Sequence, residues 1–320
     1  MVRLPLQGGL PPVQAPAGAV VEIACDESGF SGSNLLHPAT PVITHASVDL
    51  SVAEAAALLA TLGSGPWSPS ELKSGQFLRG PHAGEALGRF LAGLDGRAHV
   101  LLVDKAYFLA TRIVDLFLAE PSYGAGTRLT AANRPAALAL HRAGRAAGPA
   151  WDAFLAAFAD LVRVKRRHRP DGRAVDRFFR ARDALDLGAE AGAVLARIDR
   201  ARVWAVLTRM TGGDGSIPPP LEPMLPALAE TVLFWSGGGR RVLVVHDEQS
   251  ALTAGRLRRL QEVLSGGTGP SPLAGLVTVD SRDDPRVQVA DLLAGVARRV
   301  GAAGPLRPFV SPTSLRDARD

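Results

Sequence analysis

Short runs of β-branched and apolar residues alternate with longer amphipathic segments near both ends of the chain. The first run, residues 20–25, is followed by Asp26 and by the turn-forming Ser28 and Gly29, and it predicts a buried strand that ends at Asp26. Further strands are predicted at residues 41–50, 98–103, 241–248 and 276–279, and helices at residues 51–62, 82–94, 221–235, 253–264 and 285–300. This alternation is typical of an α/β fold, with the second strand antiparallel to the first.

Capping signals predict where two of these helices begin. Ser51 is followed three positions later by Glu54, which is the pattern of a capping box. Asp284 precedes Pro285, and an acidic N-cap before a proline at the first helical position predicts a helix start.

The middle of the chain is predicted to be almost entirely helical. That many helices between two strands exceed what a strand-to-strand crossover needs, so residues 107–220 are interpreted as a long helical insertion. The insertion would divide an α/β core formed by residues 19–106 and 221–303. Residues 1–18 are predicted to be a flexible N-terminal tail and residues 304–320 a C-terminal tail.

The composition excludes several classes of protein. Of the 320 residues 47% are hydrophobic, which excludes a wholly disordered chain, and no apolar stretch approaches the ~20 residues that cross a bilayer. The start of the sequence lacks the apolar segment of a signal peptide. The single cysteine, Cys25, excludes an internal disulfide and a multi-cysteine zinc site. We therefore expect a cytoplasmic protein without a membrane partner.

Acidic residues stand where the predicted strands stop. Asp26, Asp247 and Asp280 each follow an apolar run, and Glu27 and Glu248 come directly after the first two. Ligands of open α/β sheets bind outside the carboxyl ends of the strands, so parallel strands would bring these side chains to one edge. Taken singly, each aspartate is also typical of a turn or a helix cap.

The last predicted helix carries polar groups on one face. Gln288, Asp291 and Gly295 are three and four residues apart, which places them on the same side of a helix. A glycine at this position allows another backbone or a substrate to approach closely. Asp291 is therefore a further carboxylate for the same edge of the sheet.

Carboxylates that meet at one point repel each other unless they share protons or bind a cation. Oxygen ligands favour Mg²⁺ or Mn²⁺ over zinc. A pair of such ions ~4 Å apart supports phosphodiester cleavage, because one ion activates water and the other stabilises the leaving oxygen. Glu71, in a loop beside Lys73, is either a further ligand or the partner of that lysine in an ion pair.

These motifs resemble those of the uncharacterised prokaryotic domain-of-unknown-function 3800 family. Its members carry an Asp-Glu pair near the N-terminus and a Gln-x-x-Asp motif near the C-terminus, which correspond to Asp26-Glu27 and to residues 288–291. The resemblance covers residues 20–108 and 221–300, and the helical insertion departs from it. It implies a ribonuclease H-like mixed sheet flanked by helices, and the activity of a metal-dependent nuclease.

The resemblance also implies roles for individual residues. Asp26, Asp247 and Asp291 match the metal ligands, and Glu71 is a plausible fourth catalytic residue. Gln288 would hold a ligand or the scissile phosphate. The remaining auxiliary residues are Glu27, Glu248, Asp280 and Lys73.

The densest positive charge lies inside the predicted insertion. Arginine binds phosphates and aromatic rings stack on unpaired bases, so the run of basic residues between Arg163 and Arg180 predicts a nucleic-acid-binding surface. The alternative is a solvated helix face with Phe178 and Phe179 buried. A GC-rich genome is the simpler explanation for the general excess of arginine in a chain of net charge +5. The basic residues of the run are Arg163, Lys165, Arg166, Arg167, Arg169, Arg173, Arg177 and Arg180.

Three functions are consistent with the sequence. The first is a divalent-metal-dependent nuclease that acts on DNA or RNA. The second is a module that binds nucleic acid or a protein partner through the helical insertion without cleaving, as part of a defence or mobile-element system. The third is a metal-dependent phosphoesterase that acts on small nucleotides.

Overall fold

A computed structural model describes residues 8–13, 18–30, 32, 34–62, 73–80, 82–163, 169–267, 269–302 and 304–317. The strands are β1 (Val20–Ser28), β2 (Val42–Val48), β3 (Ala98–Asp104), β4 (Arg241–Asp247) and β5 (Leu273–Val279). The helices are α1 (Val52–Leu62), α2 (Ser74–Phe77), α3 (Ala83–Ala92), α4 (Lys105–Phe117), α5 (Arg134–Ala147), α6 (Pro149–Val162), α7 (Gly172–Asp183), α8 (Gly188–Ala196), α9 (Arg200–Thr211), α10 (Met224–Ser236), α11 (Ala254–Leu264) and α12 (Pro285–Val300). Across these described ranges, no helix combines the length and the apolar character that a membrane crossing requires.

The five strands form one mixed sheet in the order β3-β2-β1-β4-β5, which confirms the predicted α/β class. The central strand β1 pairs antiparallel with β2 and parallel with β4, and β4 pairs parallel with β5. The N–H of Asp49 donates to the carbonyl of Arg97 at 2.9 Å, so the end of β2 lies against the beginning of β3. The carboxyl ends of β1, β4 and β5 therefore share one edge of the sheet.

The predicted capping residues of α1 and α12 are confirmed. The N–H of Ser51 donates to Glu54 Oε2 at 2.7 Å, and the N–H of Glu54 donates to Ser51 Oγ at 3.3 Å. Asp284 accepts from the N–H of Arg286 at 2.9 Å, so α12 begins at Pro285 as the sequence predicts.

The chain divides into two compact units. The first contains the described residues of Met1–Phe30, Val42–Leu102 and Ala227–Ser314. In its core α12 packs across β1 and β2, and its apolar side chains Leu292 and Leu293 are fully buried. Thr44 Oγ1 on β2 donates to the carbonyl of Ala294 at 2.7 Å, which fixes the helix against the sheet.

The second unit contains the described residues of Ser31–Pro41, Val103–Pro226 and Leu315–Asp320. It includes the helices α4 to α9, and its core is aromatic. Phe178 on α7 is fully buried, with its ring centroid 5.2 Å from that of Phe154 and 5.6 Å from that of Phe117.

Two segments that the sequence predicts as tails are folded where the structure describes them. Leu10 exchanges backbone hydrogen bonds of 2.8 and 2.9 Å with Leu276 on β5. Gly304–Phe309 form a 3₁₀ helix that buries Leu306 and Phe309. The burial of these apolar side chains stabilises a segment that has no helical or strand periodicity in its sequence.

Candidate functional site

Two aspartates lie side by side at the carboxyl ends of neighbouring parallel strands. The register of β1 against β4 pairs Cys25 with His246, so Asp26 and Asp247 are the next residues on adjacent strands. Asp26 is only 5% exposed, and Asp247 is partly exposed. The two carboxyl groups that the sequence predicts at this edge are therefore brought together.

Asp291 reaches the same region from α12. Its side chain is 28% exposed, although the apolar residues around it on the helix are buried. Gly295, one turn further along, lies so close to α2 that a Cβ would stand 2.2 Å from Ser74 Oγ. This close approach of the Ser74 side chain holds α12 against the segment that carries Lys73.

The pKa of Asp26 depends on the charges of the neighbouring carboxylates. Burial, followed by the charges of Glu27, Asp291 and Asp247, raises the pKa of Asp26 to about 9, although the N–H of Glu27 donates to its Oδ1 at 2.7 Å. Without a cation, Asp26 is therefore protonated at neutral pH. We call Asp26, Asp247 and Asp291 the carboxylate cluster.

Each carboxylate of the cluster also has a partner of its own. Asp247 Oδ1 accepts from the N–H of Ser281 at 3.1 Å, and Asp291 Oδ2 lies 3.8 Å from Lys73 Nζ. Among the residues that the structure describes, no three histidine, cysteine or acidic side chains stand close enough to ligate one metal ion. The oxygen donors nevertheless suit a hard divalent cation, whose charge would favour the ionised form of Asp26.

Gln249 belongs to this region and was not predicted from the sequence. Its amide nitrogen donates to Glu27 Oε1, and its amide oxygen accepts from the N–H of Ala251 at 3.2 Å. Gln249 is buried, so it fixes the Glu27 carboxylate beside Asp26. Its position two residues after the end of β4 is the only sequence signal that could have found it.

The remaining predicted site residues are Asp280, Glu248, Gln288 and Glu71. Asp280, after β5, pairs with the guanidinium of Arg282 at 2.8 Å and accepts from its N–H, as in a local turn. Glu248 is exposed. Gln288 is partly buried one turn before Asp291 on α12. Glu71 lies outside the described residues.

Two buried histidines stand behind the ends of β1 and β4. His246 Nδ1 is hydrogen-bonded to the carbonyl of Asp247 at 2.9 Å, so it is the donor, and its Nε2 must accept when the ring is neutral. His45 Nε2, 3.2 Å away, therefore donates, and His45 Nδ1 accepts from Thr231 Oγ1 at 3.0 Å. Burial lowers the pKa of both rings and so favours their neutral forms, and the hydrogen bonds fix both tautomers. His246 is fully buried.

The predicted nucleic-acid-binding residues are described in part. Arg173, Arg177 and Arg180 are exposed on α7, and Phe178 and Phe179 are buried, as in the alternative of a solvated helix face. The remaining members of the run are Arg163 and Arg169, which are exposed, and Lys165, Arg166 and Arg167, which lie outside the described residues.

Comparisons with protein-family models, with curated proteins and with solved structures find no match. The resemblance of the Asp26-Glu27 and residue 288–291 motifs to the domain-of-unknown-function 3800 family therefore stays a prediction. The side chains of the carboxylate cluster carry the functional proposal.

Proposed function

We propose that this chain is a divalent-metal-dependent nuclease with a ribonuclease H-like fold. The strand order β3-β2-β1-β4-β5 supports this fold, with β2 antiparallel and β4 parallel to the central strand. The family resemblance implies aspartates on the first strand, on a later strand and on the final helix. Asp26, Asp247 and Asp291 occupy those three kinds of position.

The observation that carries the proposal is the state of Asp26. A carboxyl group that is buried beside other acidic groups is costly to ionise, and structural cores rarely contain one. Strongly perturbed carboxyl groups are concentrated at functional sites. A divalent cation between Asp26, Asp247 and Asp291 would attract all three charges and remove the reason for the raised pKa of Asp26.

The three aspartates would hold Mg²⁺ or Mn²⁺ through their carboxylate oxygens. When bound, such an ion supplies a water of lowered pKa and stabilises negative charge on a phosphodiester. Asp26 would lose its proton when the site holds a cation, and Asp291 would exchange its contact with Lys73 for one with the cation. Gln288, on the same face of α12 as Asp291, is placed to donate its amide to a phosphate oxygen or to a ligand carboxylate.

The test measures hydrolysis of labelled single- and double-stranded DNA and RNA with Mg²⁺ or Mn²⁺. We expect Asp26→Asn and Asp291→Asn each to lower the rate more than about 100-fold, because loss of an outer partner alone typically costs 10–100-fold. Asp95→Asn, in an exposed turn of the same unit, is the matched control. The proposal is wrong if the wild type cuts none of these substrates, or if both variants cut at the wild-type rate.

The exposed face of α7 supports a second candidate, a module that binds nucleic acid without cleaving it. Arg173, Arg177 and Arg180 share this face, and none of the three pairs with a carboxylate of the described residues. Such a surface binds phosphates in a salt-dependent and metal-independent way. Binding that persists in EDTA and is lost in the Arg173→Glu, Arg177→Glu double variant, without any cleavage by the wild type, would favour this candidate.

A further inference from the structure

Arg298 lies in the last turn of α12 and is fixed at the end of β1. Its Nε donates to Ser28 Oγ at 2.9 Å. Its aliphatic part passes over Gly29, where a Cβ would stand 2.7 Å from Arg298 Cδ. Gly29 also has a positive φ of 88°, so both its backbone conformation and the path of the arginine require glycine.

Arg298 differs in its partners from two arginines near the start of α12. Arg282 pairs with Asp280 at 2.8 Å, and Arg286 pairs with Asp284 at 2.7 Å. Within the described part of the chain, Arg298 pairs with no carboxylate. Its Nε is held by a neutral hydroxyl, and the two terminal nitrogens retain their donors and the full positive charge for an anion.

Arg298 and the carboxylate cluster line the same seam between β1 and α12. Ser28 follows Asp26 by two residues on the same face of the strand, which is about 7 Å. Arg298 follows Asp291 by seven residues, two turns along the same face of the helix, which is about 10 Å. A strand of nucleic acid with one phosphate at the cluster would therefore present a neighbouring phosphate near Arg298.

We propose that Arg298 binds the phosphate next to the scissile phosphodiester, so that the substrate is a nucleic-acid strand rather than a mononucleotide. This inference rests on the proposed function. The carboxylate cluster repels a phosphate backbone until a cation is bound, whereas Arg298 attracts it directly. The arginine therefore supplies binding and register, and the aspartates supply the chemistry.

The first test compares Arg298→Gln with a matched control, Arg258→Gln, which removes an exposed arginine of α11 in the same unit. Glutamine removes the charge but retains a donor for Ser28. With an oligonucleotide that the wild type cuts, we expect Arg298→Gln to raise KM roughly tenfold and to change kcat less than about twofold, since a charge-assisted contact to phosphate contributes to binding. The control should leave both constants unchanged. Arg298→Lys should have a KM between those of the wild type and Arg298→Gln.

The second test changes the substrate instead of the protein. A neutral methylphosphonate replaces the phosphate on the 5′ or on the 3′ side of the scissile bond. We expect one of these two substitutions to raise the KM of the wild type by the same factor as Arg298→Gln, and to have no further effect on that variant. If Arg298→Gln fails to fold, the same comparison is made with Arg298→Lys, for which this methylphosphonate should raise the KM by a smaller factor than for the wild type.

The outcomes separate this inference from the proposed function. If cleavage depends on Asp26 but neither methylphosphonate nor Arg298→Gln changes KM, the inference is overturned and the nuclease proposal stands. If the wild type cuts nothing, fluorescence anisotropy with the same labelled oligonucleotide decides the inference. We then expect Arg298→Gln to bind about tenfold more weakly and to lower the salt slope by about one. Equal binding by Arg298→Gln and Arg258→Gln overturns it.

Discussion

Lys73 Nζ lies 3.8 Å from Asp291 Oδ2, and this contact places a protein cation where a metal ion is expected to compete. The lysine side chain is 55% exposed, so the pair is weak. We expect Lys73→Met to raise the affinity for Mn²⁺ roughly twofold to fivefold, measured by isothermal titration calorimetry. Arg89→Met, which removes an exposed cation from α3, should leave the affinity unchanged. Weaker Mn²⁺ binding by Lys73→Met would contradict this competition.

The raised pKa of Asp26 predicts how the metal-free protein responds to pH. The folded state keeps a proton on Asp26 up to about pH 9, whereas the unfolded chain loses it near 3.8. The contribution of Asp26 to stability is therefore complete below pH 4 and falls as the pH rises from about 4 to about 9. Asp26→Asn cannot ionise, so the free energy of unfolding of this variant relative to that of the wild type should increase by up to about 1.4 kcal/mol per pH unit in this window. Urea unfolding in EDTA at pH 5, 7 and 8.5 measures the difference, and a constant difference would show that Asp26 has an ordinary pKa.

Because Asp26 carries a proton at neutral pH, we expect the affinity for a metal ion to depend on pH. If Mn²⁺ binds to ionised Asp26, binding at pH 7 releases about one proton and the affinity rises up to about tenfold per pH unit. Calorimetry in two buffers of different ionisation enthalpy measures the proton count. Asp26→Asn should release none at that site, and equal proton release by both proteins would exclude Asp26 as the source.

The local features of the site could be predicted from the sequence. Strand ends, the capping box of Ser51 and Glu54, and the start of α12 at Pro285 are determined by residues within one helical turn or one strand. The positions of Asp26, Asp247 and Asp291 follow from such local patterns. The proximity of Asp26 and Asp247 required only the additional rule that parallel strands share an edge, whereas that of Asp291 depends on the packing of α12 across β1.

Contacts between distant segments could not be predicted in the same way. His45 meets His246, and Gln249 meets Glu27, because of the register between strands and the packing of loops. Neither is encoded by a periodic pattern. The fold of residues 304–314 likewise depends on Val310 bridging β3 at Val100, a contact without a local signal.

The close packing around Gly295 predicts that a larger side chain at this position destabilises the protein. A Cβ at this position would stand 2.2 Å from Ser74 Oγ and 2.6 Å from Ser74 Cβ, so Gly295→Ala should destabilise the protein by about 1–3 kcal/mol. Adding Ser74→Gly should restore part of this loss, because it removes both clashing atoms. Gly192→Ala on α8, where nothing lies within 4 Å, is the matched control and should be neutral or slightly stabilising. Thermal unfolding measures all four proteins, and a Gly295→Ala variant as stable as the control would contradict the close packing of α2 on α12.

His99 predicts an acid-dependent loss of stability. It is buried under Phe234, with ring centroids 4.0 Å apart, and neither ring nitrogen has a hydrogen-bond partner. Burial lowers its pKa to about 4, so stability is lost as the pH falls from about 6.5 towards 4, where only the unfolded chain binds the proton. His99→Phe should stabilise the protein by about 1 kcal/mol at pH 7 and by more at pH 5, measured by urea unfolding. The exposed His82→Phe should show no such gain on acidification.

The helix α12 carries Asp291 and is synthesised after all five strands of the sheet, yet it packs across β1, the first of those strands in the chain. The carboxylate cluster therefore cannot be assembled on a nascent chain before α12 has emerged. A translation product that stops before Pro285 would lack both Asp291 and the apolar surface that covers β1 and β2. Under the proposed function, this order of synthesis keeps an unfinished nuclease inactive.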